Sequence, residues 1–506
     1  MELELQRESM TGYDLLLNTT VSQEETQETI VPDACPDILR ILDTRAQAFL
    51  TSKQIREGMV TVAGVVRANV FYLPEESEQS VCRMEIAVPF TCQAEAPNLT
   101  AQGTMVAVPR VRCAETRILN PRKVLLRADL LVDIDAYQSN DVELCCGADG
   151  NEQYGVQQLV ADEHTTITSA VKEKAFTYAD RIDLAIHSQN EVEVLSVCGE
   201  AVCNESKLVG NKLIFKGVVN ADILFCDNGE LRTISQPLAF SQIMEVSQAG
   251  ENCTCSIRVA VTDLRLEHGE SFLDNELTVE LLAQAVVRER KGIRVLRDLY
   301  STGWNTDTTV HSYQMHHALE DGERVVPVRE QIETTTLVRG IAHYWADLGA
   351  VHAKLEGGQS VLTAEVTLSV LYLDDAEELQ SVHKTILVPC RLDVSGTVCR
   401  CWCSAPREVF ATAAAGGMEI RFSIDFHCLV MIEQQVSAIL AASVVGERTR
   451  GEGEQPSVVL RMAVPGEQLW DIAKLYGTTA EEIMRANELQ EEELPRGKML
   501  LIPRVR

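Results

Sequence analysis

Apolar and polar residues alternate along most of this chain. Leu362, Ala364, Val366, Leu368, Val370 and Tyr372 fall on one side of an extended backbone, and Thr363, Glu365, Thr367 and Ser369 fall on the other. Successive side chains of a strand point to opposite faces, so this pattern predicts a strand buried on one face only. Stretches of this kind occur three times. GMVTVAGVVRANVFYLPEESEQSVCRMEIAVPF ends at Phe90, NKLIFKGVVNADILFCDNGELRTISQPLAF at Phe240, and QSVLTAEVTLSVLYLDDAEELQSVHKTILVPC at Cys390, end points 150 residues apart each time. Val70-Phe71-Tyr72 corresponds to Ile223-Leu224-Phe225 and to Val370-Leu371-Tyr372. A period of that length means tandem domains, because solenoid units run to roughly 20–50 residues.

Within the second copy, Asp227-Asn228-Gly229 predicts a tight hairpin turn, and the other copies place acidic loops there. Further alternating runs follow at 124–133, 277–286 and 418–427. Each copy is therefore expected to be an all-β unit of roughly six to eight strands, a sandwich. Segments 157–174 and 290–330 carry mixed signals and admit short helices. Segment 36–50 reads either as a helix or as a strand and loop.

From Val459 the period changes. Leu469, Ile472, Ala473 and Tyr476 repeat at i, i+3, i+4 and i+7, the stripe of a helix with one buried face, and Gly477 follows where a left-handed cap is wanted. Thr479 with Glu482 is a capping-box pattern opening a second helix, which buries Ile483 and Met484 and ends near Asn487. Val459, Met462 and Val464 on one side, and Met499 to Ile502 on the other, predict two short strands. The fold class is mainly β: tandem sandwich-like repeats followed by a small βααβ domain. The expected division is 1–155 (first β repeat with an N-terminal extension), 156–300, 301–445, a charged, glycine-bearing flexible linker at 446–457, and the βααβ domain at 458–506.

Composition narrows the function. A chain of 506 residues holds several domains, and its net charge of −30 argues against nucleic acid and anionic membrane surfaces as partners. No apolar stretch is long enough for direct membrane insertion. The N-terminus MELELQRESM is acidic, without the basic region and apolar run of a signal peptide, and sixteen cysteines then read as reduced thiols in a cytosol.

Candidate chemistry is sparse. Neither GxxxxGK[ST] nor GxGxxG stands in a strand-to-helix setting, so no nucleotide cofactor is expected. His311, His316 and His317 cluster in sequence, but a surface segment explains them better than a metal site lacking a completing carboxylate or cysteine. Cys399, Cys401 and Cys403 alternate along a strand, as do Cys253 and Cys255, so their sulfurs share a face and read as small apolar packing groups. No catalytic residue, metal site or cofactor is assigned, and the chain reads as a non-enzyme.

The motifs PGEQLWDIAKLYG, TTAEEIMRANEL and LLIP make the C-terminal segment resemble a LysM domain. That resemblance implies a shallow groove for peptidoglycan or other N-acetylglucosamine polymers. Gly466, Glu467, Gln468 and Leu469, with Trp470 beside them, would form one lip, and Asn487, Glu488, Leu489 and Gln490 the other. Leu469 and Asn487 have a second reading as packing and loop-closing residues. The sequence departs from the LysM pattern at Glu491-Glu492-Glu493 and at Arg496, and an acidic lip suits a basic protein surface at least as well as a neutral sugar.

GVVRANVFY, GVVNADILF and VTLSVLY, with the downstream VPF and VPC and the terminal LysM-like segment, resemble the SPOCS-domain proteins of endospore-forming bacteria, of the SipL type. The resemblance implies a scaffold made in the mother-cell cytoplasm that acts at the forespore surface and coat. There it would tether the coat basement layer built by an ATPase of the SpoIVA type. The alternative is a peptidoglycan-binding cell-wall protein, which requires export.

Overall fold

The structure, a computed structural model, describes residues 1–75, 81–149, 151–184, 192–227, 229–246, 252–268, 275–356, 359–392, 397–448, 457–464, 466–490 and 499–503. Each of the three alternating stretches forms the middle strand and one outer strand of a three-stranded antiparallel sheet. In chain order the first set is β1 (Leu5–Ile30), β2 (Ile38–Arg56), β3 (Met59–Pro74), β4 (Cys82–Glu95), β5 (Thr104–Asn120) and β6 (Lys123–Ala148). One sheet runs β2-β3-β4 and the other β1-β6-β5. Val62 and Val66 on the first sheet and Leu130 and Val132 on the second share one core, which makes the set a sandwich.

After a single helical turn, α1 (Asn151–Tyr154), the same order returns. β7 (Val156–Ile182), β8 (Val192–Val209), β9 (Lys212–Asp227), β10 (Glu230–Glu245), β11 (Cys253–His268) and β12 (Asn275–Ser301) divide into β8-β9-β10 and β7-β12-β11. The third set comprises β13 (Trp304–Glu333), β14 (Gly340–Glu356), β15 (Gln359–Leu373), β16 (Leu379–Leu392), β17 (Thr397–Cys403), β18 (Arg407–Ala414) and β19 (Gly417–Glu447). Here the outer strand is split, and β17 and β18 both pair with β19. The chain closes with β20 (Val458–Met462), α2 (Leu469–Tyr476), α3 (Ala480–Asn487) and β21 (Met499–Pro503).

Segments 157–174, 290–330 and 36–50, open to helix in the sequence, are strands. The first is part of β7, the second of β12 and β13, and the third of β2. In β2 the inward set slips because register shifts fall at Ile38/Arg40, Ile41/Asp43 and Leu50/Ser52, and Leu42 to Arg45 are all buried. The resulting apolar spacing imitates a helix. The expected hairpin joins β9 to β10, with Asp227 opposite Glu230 and Gly229 at φ 81°; Asn228 lies outside the described residues. In the third set Asp374 holds its acidic loop, its carboxylate accepting the N–H groups of Ala376 and Glu378 at 3.0 and 2.9 Å. Gly446 and Glu447, placed in the linker by sequence, belong to β19, and residues 449–456 of that linker lie outside the described residues.

The three sets pack around two shared apolar hubs. Leu42 and Phe71, Leu195 and Leu224, and Trp345 and Leu371 meet in one, a pair from each set. Cys145, Leu299 and Ile439 meet in the other, at the far ends of β6, β12 and β19. β1 and β7 also touch at Tyr13 and Thr168, joining their sheets edge to edge.

Gly64 and Gly217 sit where a side chain has no room. A Cβ on Gly217 would lie 2.3 Å from both the Phe240 ring and the Val202 carbonyl oxygen, and one on Gly64 would lie 2.2 Å from the Phe49 carbonyl oxygen. The ring across the sheet covers the bare glycine. Gly217→Ala is therefore expected to destabilise the chain by about 3 kcal/mol, the upper end of ordinary overpacking, measured by urea unfolding.

Candidate functional site

The C-terminal domain folds as its spacing dictates. α2 buries Leu469, Ile472 and Ala473 and ends at Gly477, whose φ of 65° and ψ of 37° put its N–H on the Ala473 carbonyl. The Thr479 hydroxyl accepts the Glu482 N–H at 3.1 Å, capping α3. The Glu482 carboxylate accepts the Thr478 hydroxyl at 2.7 Å, a side-chain bond to the residue before the cap in place of the cap's own N–H. β20 and β21 pair antiparallel under the two helices.

The residues expected to line a groove divide into two groups. Leu469 is 1% exposed and packs in the domain core. Asn487 clips α3 to β21: its Nδ2 donates to the carbonyls of Ile483 and Leu501 at 2.7 and 2.6 Å, and its Oδ1 accepts the Leu501 N–H at 2.7 Å. Glu467 pairs with Arg461 and accepts the Val464 N–H. Leu489 packs on the core while its N–H reaches Met484. Gly466, Gln468, Glu488 and Gln490 are exposed, with Glu488 in a left-handed cap at φ 52°. Glu491, Glu492, Glu493 and Arg496 lie outside the described residues.

Trp470 faces the body of the protein. Its indole N–H donates to Asp298 Oδ2 at 2.8 Å, and its ring meets Tyr300 edge-on with centroids 4.8 Å apart. Lys474 reaches both carboxylate oxygens of Asp298 at 2.7 Å, and the Tyr300 hydroxyl donates to the Thr478 carbonyl at 2.8 Å. Arg448 donates to the Lys474 carbonyl at 3.0 Å. The domain is thus seated on the end of β12. Nothing in the local sequence around Asp298 and Tyr300 marks them as a docking platform, because their partners lie more than 170 positions on.

The opposite face of the small sheet is uncovered among the described residues. Leu460 pairs with Leu501 and Met462 with Met499, and all four side chains are exposed, Leu460 at 63%. Val458 extends the patch.

Comparison with family models now adds to this geometry. The model described as SipL, SPOCS domain matches residues 37–118 and 192–268, and the LysM domain model matches 463–503. The chain carries SPOCS and LysM domains. The matched SPOCS segments run from β2 into β5 and from β8 through β11, so they take in the three-stranded sheet and the strand after it. SPOCS is a sporulation domain and LysM a peptidoglycan-binding one, and both families are non-catalytic binding modules. Neither the curated proteins nor the solved structures return a match.

Ser369, His383 and Asp43 form a serine, histidine and aspartate constellation, and Ser404, His427 and Glu323 a looser one with glutamate, Ser404 Oγ lying 3.0 Å from His427 Nε2 and His427 Nδ1 4.0 Å from Glu323 Oε2. Ser369 Oγ is 2.9 Å from His383 Nδ1, and His383 Nε2 is 3.5 Å from Asp43 Oδ1. Ser369 is buried on β15, a central strand with partners on both sides, so its N–H is committed to the ladder rather than to an oxyanion. The group works as a clip between the first and third sets. His311 packs edge-on against Tyr313 at 4.7 Å and His317 bonds Gln434 at 3.0 Å, and no cluster of three or more metal-ligating side chains forms among the described residues. Cys401 and Cys403 pack into the third core and Cys253 and Cys255 against the second; burial pushes the Cys401 thiol up to about 11 and Cys403 further. The Cys399 side chain lies outside the described residues.

Where the three sets meet, a chamber of ≈ 150 Å³ is lined by Gln47, Glu200, Asp347, Arg110 and Arg258. Glu200 keeps accessible surface because it faces this chamber, yet protein surrounds it. Burial, helped by the charge of Asp347, pushes Glu200 up to about 7, and burial pushes Asp347 up to about 6. A carboxylate raised in the folded state binds its proton more tightly there than in the unfolded chain. Its stabilisation is therefore present at low pH and lost as pH rises through the folded value. Glu200→Gln is expected to melt above wild type at pH 8, with the gap closing towards pH 5, followed by scanning calorimetry. Asn487→Ala removes three hydrogen bonds and is expected to cost the C-terminal domain about 2 kcal/mol, seen as lost exchange protection at the Leu501 amide.

Proposed function

We propose that the chain is a non-enzymatic scaffold of the endospore envelope, working at the forespore surface from the mother-cell cytoplasm. In this reading residues 1–155, 156–300 and 301–445 are three SPOCS-like units, 446–457 links them to the LysM domain at 458–506, and the LysM domain grips a protein of the coat basement layer, an ATPase of the SpoIVA type. The observation that carries it is the exposed apolar sheet face of Leu460, Met462, Met499 and Leu501. Exposed apolar patches of this kind mark protein contacts, whereas a soluble sugar polymer is held mainly by polar groups and ring faces. Seating α2 on Asp298 and Tyr300 engages Trp470, one of the residues expected on the groove, and leaves the sheet face exposed. Among the described residues no helix is long and apolar enough to cross a membrane.

A second reading keeps the LysM match at face value: binding of peptidoglycan or N-acetylglucosamine polymers through the exposed Gly466, Gln468, Glu488 and Gln490. Two measurements on the full chain separate the readings. Leu460→Glu is expected to weaken capture of the purified coat ATPase at least tenfold while leaving the circular dichroism unchanged. Unaltered capture by that variant rejects the scaffold reading. Sedimentation with purified peptidoglycan that N-acetylglucosamine oligomers compete away puts the second in its place.

A further inference from the structure

The two outer edges of the small C-terminal sheet differ. On β21 the main chain of Leu501 turns away from β20: its carbonyl accepts Asn487 Nδ2 at 2.6 Å and its N–H donates to Asn487 Oδ1 at 2.7 Å. That edge is closed by the domain's own side chain. Leu501 stands opposite Leu460. Opposed residues of an antiparallel pair either bond each other twice or both turn their main-chain groups outward. Leu460 therefore presents its N–H and C=O on the outer edge of β20. Alternation gives Val458 and Met462 the same orientation and leaves Val459 and Arg461 to bond β21. Pro503, which has no N–H to give, stands opposite Val458 as this requires. Among the described residues β20 pairs with β21 alone, and no hydrogen bond reaches the outward groups of Leu460. Val458, Leu460 and Met462 are 48%, 63% and 60% exposed.

The long edges of the body are built differently. β4, β10 and β16 each end a three-stranded sheet, and Pro89, Pro237 and Pro389 stand exposed within them while the inner ladder keeps one register. A proline fits there with its hydrogen-less nitrogen facing out, and it interrupts the donors that an added strand would need. β20 contains no proline. What an open main-chain edge accepts is another extended main chain, with side chains at alternate positions setting its sequence. Beside Val458, Leu460 and Met462 the incoming segment needs an apolar residue at every second position. A second copy of β20 would satisfy the edge but double the width of uncovered apolar face, which favours a foreign segment.

We propose that β20 takes up an extended segment of a protein partner, apolar at alternate positions, as a third strand bonded to the main chain of Leu460 and Met462. This mode of contact rests on the small sheet being a protein-binding surface. A peptide probe reads the edge alone, so failed capture of the coat ATPase and failed strand addition are separate outcomes.

The test uses the full-length chain and a fluorescein-labelled peptide of alternating valine and threonine with a lysine at each end, followed by anisotropy. The valines, lying beside Leu460 and Met462, are the residues that bond them. N-methylation of the valines keeps every side chain and is expected to weaken binding about tenfold, the worth of two or three main-chain hydrogen bonds. N-methylation of the threonines, whose N–H groups face away, is expected to leave binding unchanged. Leu460→Pro, which copies the arrangement at Pro89, is expected to lose binding as the valine-methylated peptide does. Leu460→Ala keeps the N–H and is expected to cost about threefold at most, the apolar contact alone. The methylated peptides act on the wild-type chain and cover the case in which Leu460→Pro does not fold. Equal binding of the three peptides overturns the proposal, as does wild-type binding by folded Leu460→Pro or no binding of the unmodified peptide. Concentration-dependent dimerisation of the free chain that Leu460→Pro abolishes overturns it in favour of a second copy.

Discussion

Three arginines, one from each unit, converge on two aspartates of a single strand. Arg110 of β5 and Arg258 of β11 reach Asp133 at 2.6 and 2.7 Å, while Arg400 of β17 pairs with Asp135 and bonds the Tyr137 hydroxyl at 3.3 Å. Burial alone would push Asp133 up, but Arg110 and Arg258 outweigh it and hold the carboxyl well below the usual range. Removing charges from water costs several kcal/mol per ion unless each finds a partner. Arg110 pairs with Asp133 inside the first unit, but Arg258 and Arg400 find these aspartates only across unit boundaries. The units are consequently committed to one another, and apolar packing at the two hubs acts on an arrangement that charge has already restricted.

Repetition alone could not have produced this arrangement. Asp43, Ser196 and His343 lie opposite Phe71, Leu224 and Leu371, the corresponding residues of the three copies, and two positions on stand Arg45, Cys198 and Trp345. Three arginines at that level would repel one another across a buried axis. With one, the guanidinium lies 5.5 Å from the Trp345 ring centroid and bonds Asp222 of the second unit. His343 is kept neutral by burial and by Arg45 beside it. Divergence of the copies is thus a requirement of packing them around one axis.

The sequence disclosed most where a residue sees a single environment. The alternation in β15 holds from Leu362 to Leu368, with Leu362, Ala364, Val366 and Leu368 fully buried, because there one face meets one core; beyond it Ser369 and Leu371 on the other face are buried as well. α2 and α3 were legible for the same reason. β7, the second half of β12 and β13 were not, since each passes from its own sandwich into the hub shared with other units, and the inward face changes partner along the way. β2 misled differently: it is buried on both faces and slips register, so its apolar residues take on helical spacing. The Asp298 platform and the arginine axis unite residues hundreds of positions apart, and no local pattern carries them.

The LysM domain shows the limit of carrying positions over from a resemblance. Of the nine residues that the resemblance placed on the lips, Leu469, Trp470, Asn487 and Leu489 are occupied in packing, docking or closing the domain itself. A residue committed in that way recurs with a fold whatever the fold binds. What distinguishes one such domain from another has to lie in positions the fold leaves free. Here those are the outward residues of β20 and β21, which alternate with the buried ones and have no structural reason to be apolar. A two-stranded sheet in water is served by polar residues on its outer face. Leucine and methionine there raise the cost of leaving the face uncovered, and a cost of that kind is sustained where a partner surface relieves it.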